Sequence, residues 1–176
     1  QMSNLNQVNI VLCGFMGCGK TTIGKMLAER TGRKFMDTDQ YIEESQKMEI
    51  PEIFSRQGEE YFRYLEYRAC CDLAKMQNLV ISTGGGALTF KRNAEVLSKT
   101  GEIILLDADL ETLWERLKDD TTRPLLQREN KRQIMTDLYE RRLPFYRENS
   151  TMTVDASMSP MKVCDEIIRM LRQKYA

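Results

Sequence analysis

Along this chain, short runs of apolar and often β-branched residues alternate with longer stretches in which apolar positions recur every three or four residues. The short runs are residues 8–13 (VNIVLC), 34–37 (KFMD), 79–82 (LVIS), 102–107 (EIILLD) and 151–155 (TMTVD). Their length and continuity fit the buried strands of a parallel sheet. Between them the period changes. Residues 20–30 carry Ile23, Met26 and Leu27 at helical spacing, and Gly32 stands where a helix end takes a left-handed residue. Residues 42–57 predict one or two short helices interrupted near Pro51. Residues 59–76 predict a stronger helix, with Phe62, Leu65, Ala69, Leu73 and Met76 on one stripe. Further helices are predicted over 91–98, 110–118, 130–146 (up to the region of Pro144) and 160–174, the last with a proline in its first turn. Residues 119–127 (DDTTRPLLQ) are polar, then hold a proline, and read as a loop.

Strands alternating with helices make a parallel sheet covered on both faces, so the fold class is α/β. No repeat, low-complexity tract or linker interrupts the pattern, and residues 1–176 read as one domain.

Composition narrows the ligand class. Lysine plus arginine equals aspartate plus glutamate, 26 of each, so the formal net charge is zero. Nucleic-acid and anionic-membrane binders carry a basic excess, so neither partner is expected, and a small ligand in a cleft is. Histidine is absent, which leaves acid–base work to carboxylates, lysine, tyrosine or cysteine. The five cysteines show no C-x-x-C spacing, which argues against a zinc site or a disulfide framework and fits a reducing cytosol. No signal peptide is expected, and no apolar run approaches the ~18 residues of a membrane span.

The residues 14–22, GFMGCGKTT, satisfy G-x-x-x-x-G-K-[ST] through Gly14, Gly19, Lys20 and Thr21, between a predicted strand and a predicted helix. Glycines let successive backbone N–H groups turn inward as an anion nest, and the helix N-terminus adds its positive end. In such a loop the lysine reaches the β- and γ-phosphates and the hydroxyl reaches Mg²⁺. A GTPase would carry an Asn-Lys-x-Asp motif; the nearest match, Asn130–Gln133, has Gln in place of the Asp.

Five further stretches carry candidate chemistry. Asp37-Thr38-Asp39 ends the second strand, where ligands gather in open α/β sheets. One carboxylate could hold Mg²⁺ while the other accepts a hydroxyl proton, or the pair could simply cap a helix. Arg63 and Glu66 are spaced i, i+3 and would also suit a plain surface pair. Arg123 lies in the polar loop, and Arg142 belongs to an arginine–aromatic cluster (RRLPFYR, residues 141–147). Arginines on separate segments suit a carboxylate, whose two oxygens match the guanidinium fork. Lastly, Gly84, Gly85 and Gly86 follow the third strand, where one glycine would suffice for a tight turn. Three of them remove side chains where ligands approach the backbone.

Taken in order, the motifs Gly14–Thr21, Asp37-Thr38-Asp39, Gly58-Glu59-x-x-Phe62-Arg63-x-x-Glu66, Gly84–Gly86, Arg123-Pro124-Leu125-Leu126 and Arg142–Tyr146 make the chain resemble the shikimate kinases of the P-loop nucleoside monophosphate kinase group. The resemblance spans nearly the whole chain. It implies a three-layer sandwich with a five-stranded parallel sheet of order 2-3-1-4-5, a mobile lid about 116–127 and shikimate-binding helices about 38–66. It implies phosphorylation of the shikimate 3-hydroxyl with ATP as co-substrate and Mg²⁺ as cofactor, by a cytoplasmic monomer. Gly17, Cys18, Gly19, Lys20, Thr21 and Thr22 would cradle the phosphates, Thr21 and Asp37 would hold Mg²⁺, and Arg116 would lie against the adenine. Asp39 would contact the acceptor hydroxyls and act as base, Arg63 and Arg142 would hold the carboxylate, and Gly85 would offer its backbone N–H. Arg123 would reach the phosphates from the lid.

Two positions depart from the family. Cys18 stands where a small alanine-like residue is usual; it suits either a buried small side chain or a thiol activated at a helix N-terminus. Residues 157–160 (SMSP) lack the Arg-Asn pair that some members use near adenine.

Overall fold

The computed structural model describes residues 5–119 and 130–176. Five strands, β1 (Asn9–Cys13), β2 (Lys34–Asp37), β3 (Leu79–Ser82), β4 (Gly101–Asp107) and β5 (Met152–Asp155), pair in parallel in the order β2-β3-β1-β4-β5. This is the expected order and direction. The helices are α1 (Lys20–Thr31), α2 (Thr38–Gln46), α3 (Ile50–Ala74), α4 (Lys91–Ser98), α5 (Leu110–Leu117), α6 (Lys131–Asn149) and α7 (Pro160–Lys174). A single 3₁₀ turn, Ala87–Thr89, follows the three glycines.

The central strands β1 and β3 are buried along their whole length, and the edge strand β2 is only partly so. That gradient is why the inner runs read as continuous apolar stretches. Helix α1 sits close against the sheet because residue 24 is glycine: a Cβ there would lie 2.5 Å from Cε1 of Phe35. A second, smaller core of Ile42, Ile53, Phe62, Leu65 and Ala69 joins α2 to α3, so these two helices pack as a unit beside the main core.

Three boundaries differ from the pattern-based expectation, each for a local reason. Helix α2 starts at Thr38, directly after the strand, because Asp37 caps it by accepting from Gln40 N at 3.1 Å. The interruption after it falls at the left-handed Lys47 (φ 54°), and Pro51 sits in the first turn of α3, where a missing N–H is tolerated. Helix α6 continues past Pro144 to Asn149. Its far end is anchored by the hydroxyl of buried Tyr146, which donates to Gly85 O, and by Asn149 Nδ2, which donates to Leu88 O at 2.8 Å. Of the expected lid, Arg116 and Leu117 close α5, while Arg123 and residues 120–129 lie outside the described residues.

Candidate active site

All five strands point their C-terminal ends the same way, and the register sets Asp37 beside Ser82 and Ser82 beside Leu12. The loops leaving these ends therefore meet. Together with α3 and α6 they line a cleft of about 600 Å³. Lys20, Thr21, Asp37, Asp39, Arg63, Gly85 and Arg142 all border it. Sequence positions up to more than a hundred residues apart are thus brought into one site.

The phosphate loop depends on backbone conformations that favour glycine. Gly17 (φ 84°) and Gly19 (φ 95°) are left-handed, and Gly19 immediately precedes α1. A Cβ on Gly17 would lie 2.9 Å from Cδ1 of Leu117, so α5 packs against the loop. The Lys20 ammonium folds back over the loop, donates to Gly14 O and lies 4.0 Å from Cys18 Sγ. Cys18 itself is 1% exposed, and its sulfur would meet a Cβ on Gly14 at 2.8 Å. It fills space as a buried small side chain. Deeper still, burial pushes the Cys13 thiol up to about 12, which keeps it neutral.

The three glycines now have a geometric reason. A Cβ on Gly84 would stand 2.5 Å from Asp39 Oδ1, one on Gly85 2.7 Å from Arg142 Nη1, and one on Gly86 2.6 Å from Arg63 Nη1. Each glycine clears space for one polar side chain from a different helix. The turn is held from both sides, by Gly84 N donating to Thr38 Oγ1 at 2.9 Å and by Tyr146 on the Gly85 carbonyl. Thr83 adds a bond from its hydroxyl to Leu12 O at 2.8 Å. The middle residue of Asp37-Thr38-Asp39, fully buried, therefore positions the glycine turn while its neighbours face the cleft.

Electrostatics set two cleft carboxylates, half-buried Asp39 and buried Glu66, apart from ordinary ones. Burial, with the carboxylates of Asp37 and Glu43 nearby, raises Asp39 to about 6 against the pull of Lys20 and Arg63. Burial likewise raises Glu66 to about 7, opposed by Arg63. Glu66 is 1% exposed, and its Oε1 accepts from Arg63 Nη1 at 3.0 Å. The surface-pair alternative for Arg63 and Glu66 is thereby set aside: this pair belongs to the cleft wall. Arg63 is also flanked by the rings of Phe62 and Phe90, 5.4 and 5.2 Å from its Cζ. Its guanidinium is held on several sides before any ligand arrives.

Sequence reasoning did not single out the apolar side of the cleft, formed by Ile50, Phe54 and Phe62. Phe54 and Phe62 stack with centroids 4.8 Å apart. Both lie on the apolar stripes of α3, so the sequence offered no means to separate wall from core. Glu66 and Tyr146 were visible in the motifs but were not named as site residues. Arg116, by contrast, does not border the cleft: its Nη1 donates to Gly17 O at 3.0 Å and its Nη2 to Ala156 O at 2.8 Å. It spans from the phosphate loop to the turn after β5. In that turn Asp155 accepts from both the N–H and the hydroxyl of Ser157, at 2.9 and 2.6 Å.

A cleft with a phosphate loop at one end and a carboxylate with two arginines at the other suits transfer between a nucleotide and a small anionic alcohol. Comparison with known proteins agrees. A sequence model described as shikimate kinase matches residues 16–172. A shikimate kinase of Persephonella marina is 42% identical over 164 residues, covering 93% of this chain and 99% of its own. Among solved structures, a shikimate kinase from Acinetobacter baumannii in complex with shikimate is 38% identical, with a TM-score of 0.85 and coverage of 95% and 94%. A second, from Bacteroides thetaiotaomicron, is 34% identical with a TM-score of 0.86, covering 94% of this chain and 99% of its own.

Proposed function

This chain belongs to the shikimate kinase family, and from that premise we propose how its own residues carry out the reaction. The enzyme transfers the terminal phosphoryl group of ATP to the 3-hydroxyl of shikimate, giving 3-phosphoshikimate and ADP, a step in aromatic amino acid biosynthesis. The observation that carries the assignment of roles is the glycine turn, over which Asp39, Arg142 and Arg63 stand side by side in the cleft that Lys20 also enters.

In this reading the backbone of Gly17–Thr22 and the Lys20 ammonium receive the phosphates, whose oxygens replace the Gly14 carbonyl as the ammonium's partner. Arg63 and Arg142 hold the shikimate carboxylate, and Gly85 offers its N–H beside them. Asp39 orients the 3-hydroxyl and takes its proton late. Even at about 6 it is a far weaker base than an alkoxide, so early deprotonation is not available to it. Arg123 reaches the transferred group from its segment, and Arg116 stands against the adenine. Positioning and charge neutralisation do most of the work, because phosphoryl transfer leaves little covalent chemistry to the protein.

Mg²⁺ fits the donor set. Thr21 and Asp37 both border the cleft and supply hard oxygen donors, and Asp37 spends only Oδ1 on its cap. When bound, the metal would offset charge on the β- and γ-phosphate oxygens; Thr21 and Asp37 would hold it, directly or through water. Among the described residues no helix is long and apolar enough to cross a membrane. We read the chain as one cytoplasmic domain acting as a monomer on two small molecules.

A coupled assay of ADP release with Mg-ATP tests the reading, with shikimate as acceptor and quinate and gluconate as controls. Shikimate-dependent turnover is expected. Arg142→Ala should raise the KM for shikimate and leave ATP affinity unchanged; a defect confined to ATP would overturn the placement of the carboxylate.

A further inference from the structure

Tyr146 is a buried phenol whose polar end the roles assigned above leave unused. It follows Arg142 by four positions on α6, so both side chains leave the same face of the helix. The ring is 2% exposed and packs in the main core, beside Phe15 of the phosphate loop. The hydroxyl reaches from the core to the glycine turn and donates to Gly85 O. The Arg142 side chain hydrogen-bonds the same hydroxyl, and a guanidinium can only be the donor there. One oxygen therefore joins Arg142 to the turn beneath it. Burial pushes the hydroxyl up to about 12 against the pull of Arg142, so it keeps its proton across the neutral range and remains a donor to Gly85.

Both contacts bear on the groups that grip the acceptor. Gly85 is flanked by two peptides, each held through its carbonyl: Gly84 O accepts from Ala87 N at 3.1 Å, and Gly85 O accepts from Tyr146. Without the second bond, the residue type with the greatest backbone freedom would stand loose at the point that offers its N–H. Arg142 Nη1 lies only 2.7 Å from where a Cβ on Gly85 would be, so the guanidinium and the turn are in direct register. Arg63 is held by a carboxylate, that of Glu66. For Arg142 a neutral hydroxyl does the holding, which leaves its positive charge to meet an anionic ligand.

We propose that the Tyr146 hydroxyl is a positioning group for the acceptor: it sets Arg142 and the Gly85 N–H in register so that both meet one carboxylate. The proposal rests on the placement of the shikimate carboxylate given above. Tyr146 is not among the residues that border the cleft, so it acts through Arg142 and Gly85.

Tyr146→Phe, which removes the hydroxyl and keeps the ring, tests it. The KM for shikimate should rise by about tenfold, the scale of one hydrogen bond to a charged group, with kcat and the KM for ATP within about twofold of native. In an Arg142→Ala background the same substitution should lower kcat/KM for shikimate by less than about threefold, because one of the two groups it positions is gone. Asn149→Ala removes a different anchor of the same helix end. It should lower the thermal midpoint, as Tyr146→Phe does, and leave the KM for shikimate unchanged. A native KM in Tyr146→Phe, equal fold-losses in both backgrounds, or an equal rise of KM in Asn149→Ala would overturn the positioning role while the carboxylate placement stands. A native KM for shikimate in Arg142→Ala would instead overturn that placement, and the proposal with it.

Discussion

Asp39 stands in the first turn of α2 with its carboxylate over the Cα of Gly84, and its burial sets activity against stability. Its raised value, about 6, means the fold disfavours the ionised form, the form we propose orients the acceptor. The stability tied to this group is fully present below its ordinary value of 3.8 and is lost as pH rises through about 6. A shift of that size corresponds to at most about 3 kcal/mol. Asp39→Asn should therefore abolish most turnover, keep ATP binding, and raise the thermal midpoint of the ligand-free protein at pH 8 by a few degrees, with the gain vanishing near pH 4. For the native enzyme, kcat/KM for shikimate should fall as pH drops through about 6, where Asp39 is protonated. A profile flat down to pH 5, or an Asn variant less stable at pH 8, would count against this account. At this scale the sequence was partly legible. Three glycines in a row announced a close approach, but that each faces a different polar side chain depends on α2, α3 and α6 converging. Asp37 proved to be a cap as well as a candidate metal ligand, because the strand passes into the helix with no loop between.

Helix α3 carries a backbone break beside the residues we assign to the acceptor. At Gly58 the backbone takes φ 87° and ψ 168°, and the helix divides into a first half bearing Ile53 and Phe54 and a second bearing Phe62, Arg63 and Glu66. That conformation is essentially open to glycine alone, and nothing lies within 4 Å of where a Cβ would be. Gly58→Ala is thus a test of backbone conformation without a steric clash. It should cost about 1–3 kcal/mol, lower the midpoint by several degrees, and raise the KM for shikimate while leaving the KM for ATP unchanged. An unchanged KM would mean the two halves keep their relation without the break. The pattern indicated helices on both sides of this glycine. It misplaced the preceding break because proline was read as the interruption. Proline at a helix start is compatible with the helix, and the reversal was carried instead by left-handed Lys47, which no pattern of apolar residues marks. Pro144 misled in the same way, since the contacts of Tyr146 and Asn149 beyond it hold the last turns of α6.

Across the whole molecule, the site gathers at one end of the sheet while a second polar cluster secures the other. Glu102, 4% exposed near the start of β4, accepts from Thr151 Oγ1 and Tyr175 Oη, each at 2.6 Å, and pairs with Lys174 Nζ at 2.6 Å. It ties the entry to β5 and the end of α7 to the central sheet. Burial alone would raise its pKa, but the bonds from Lys174, Thr151 and Tyr175 outweigh it and hold the carboxyl below its ordinary value. The sign is opposite to that of Asp39. The stability from Glu102 is present above the ordinary value of 4.5 and is lost as pH falls through the lowered one. One end of the sheet thus gains stability in acid and the other loses it, and only the first borders the cleft. Glu102→Gln should lower the thermal midpoint at pH 7 by several degrees, for about 1–3 kcal/mol of charge-assisted hydrogen bonding. The difference from the native protein should shrink as the pH is taken below 4, while kcat and both KM values stay unchanged at 25 °C. A loss of turnover beyond the unfolded fraction would mean that the two ends of the sheet are coupled. Equal stability at pH 7 would mean that Thr151, Lys174 and Tyr175 find water as good a partner as the carboxylate.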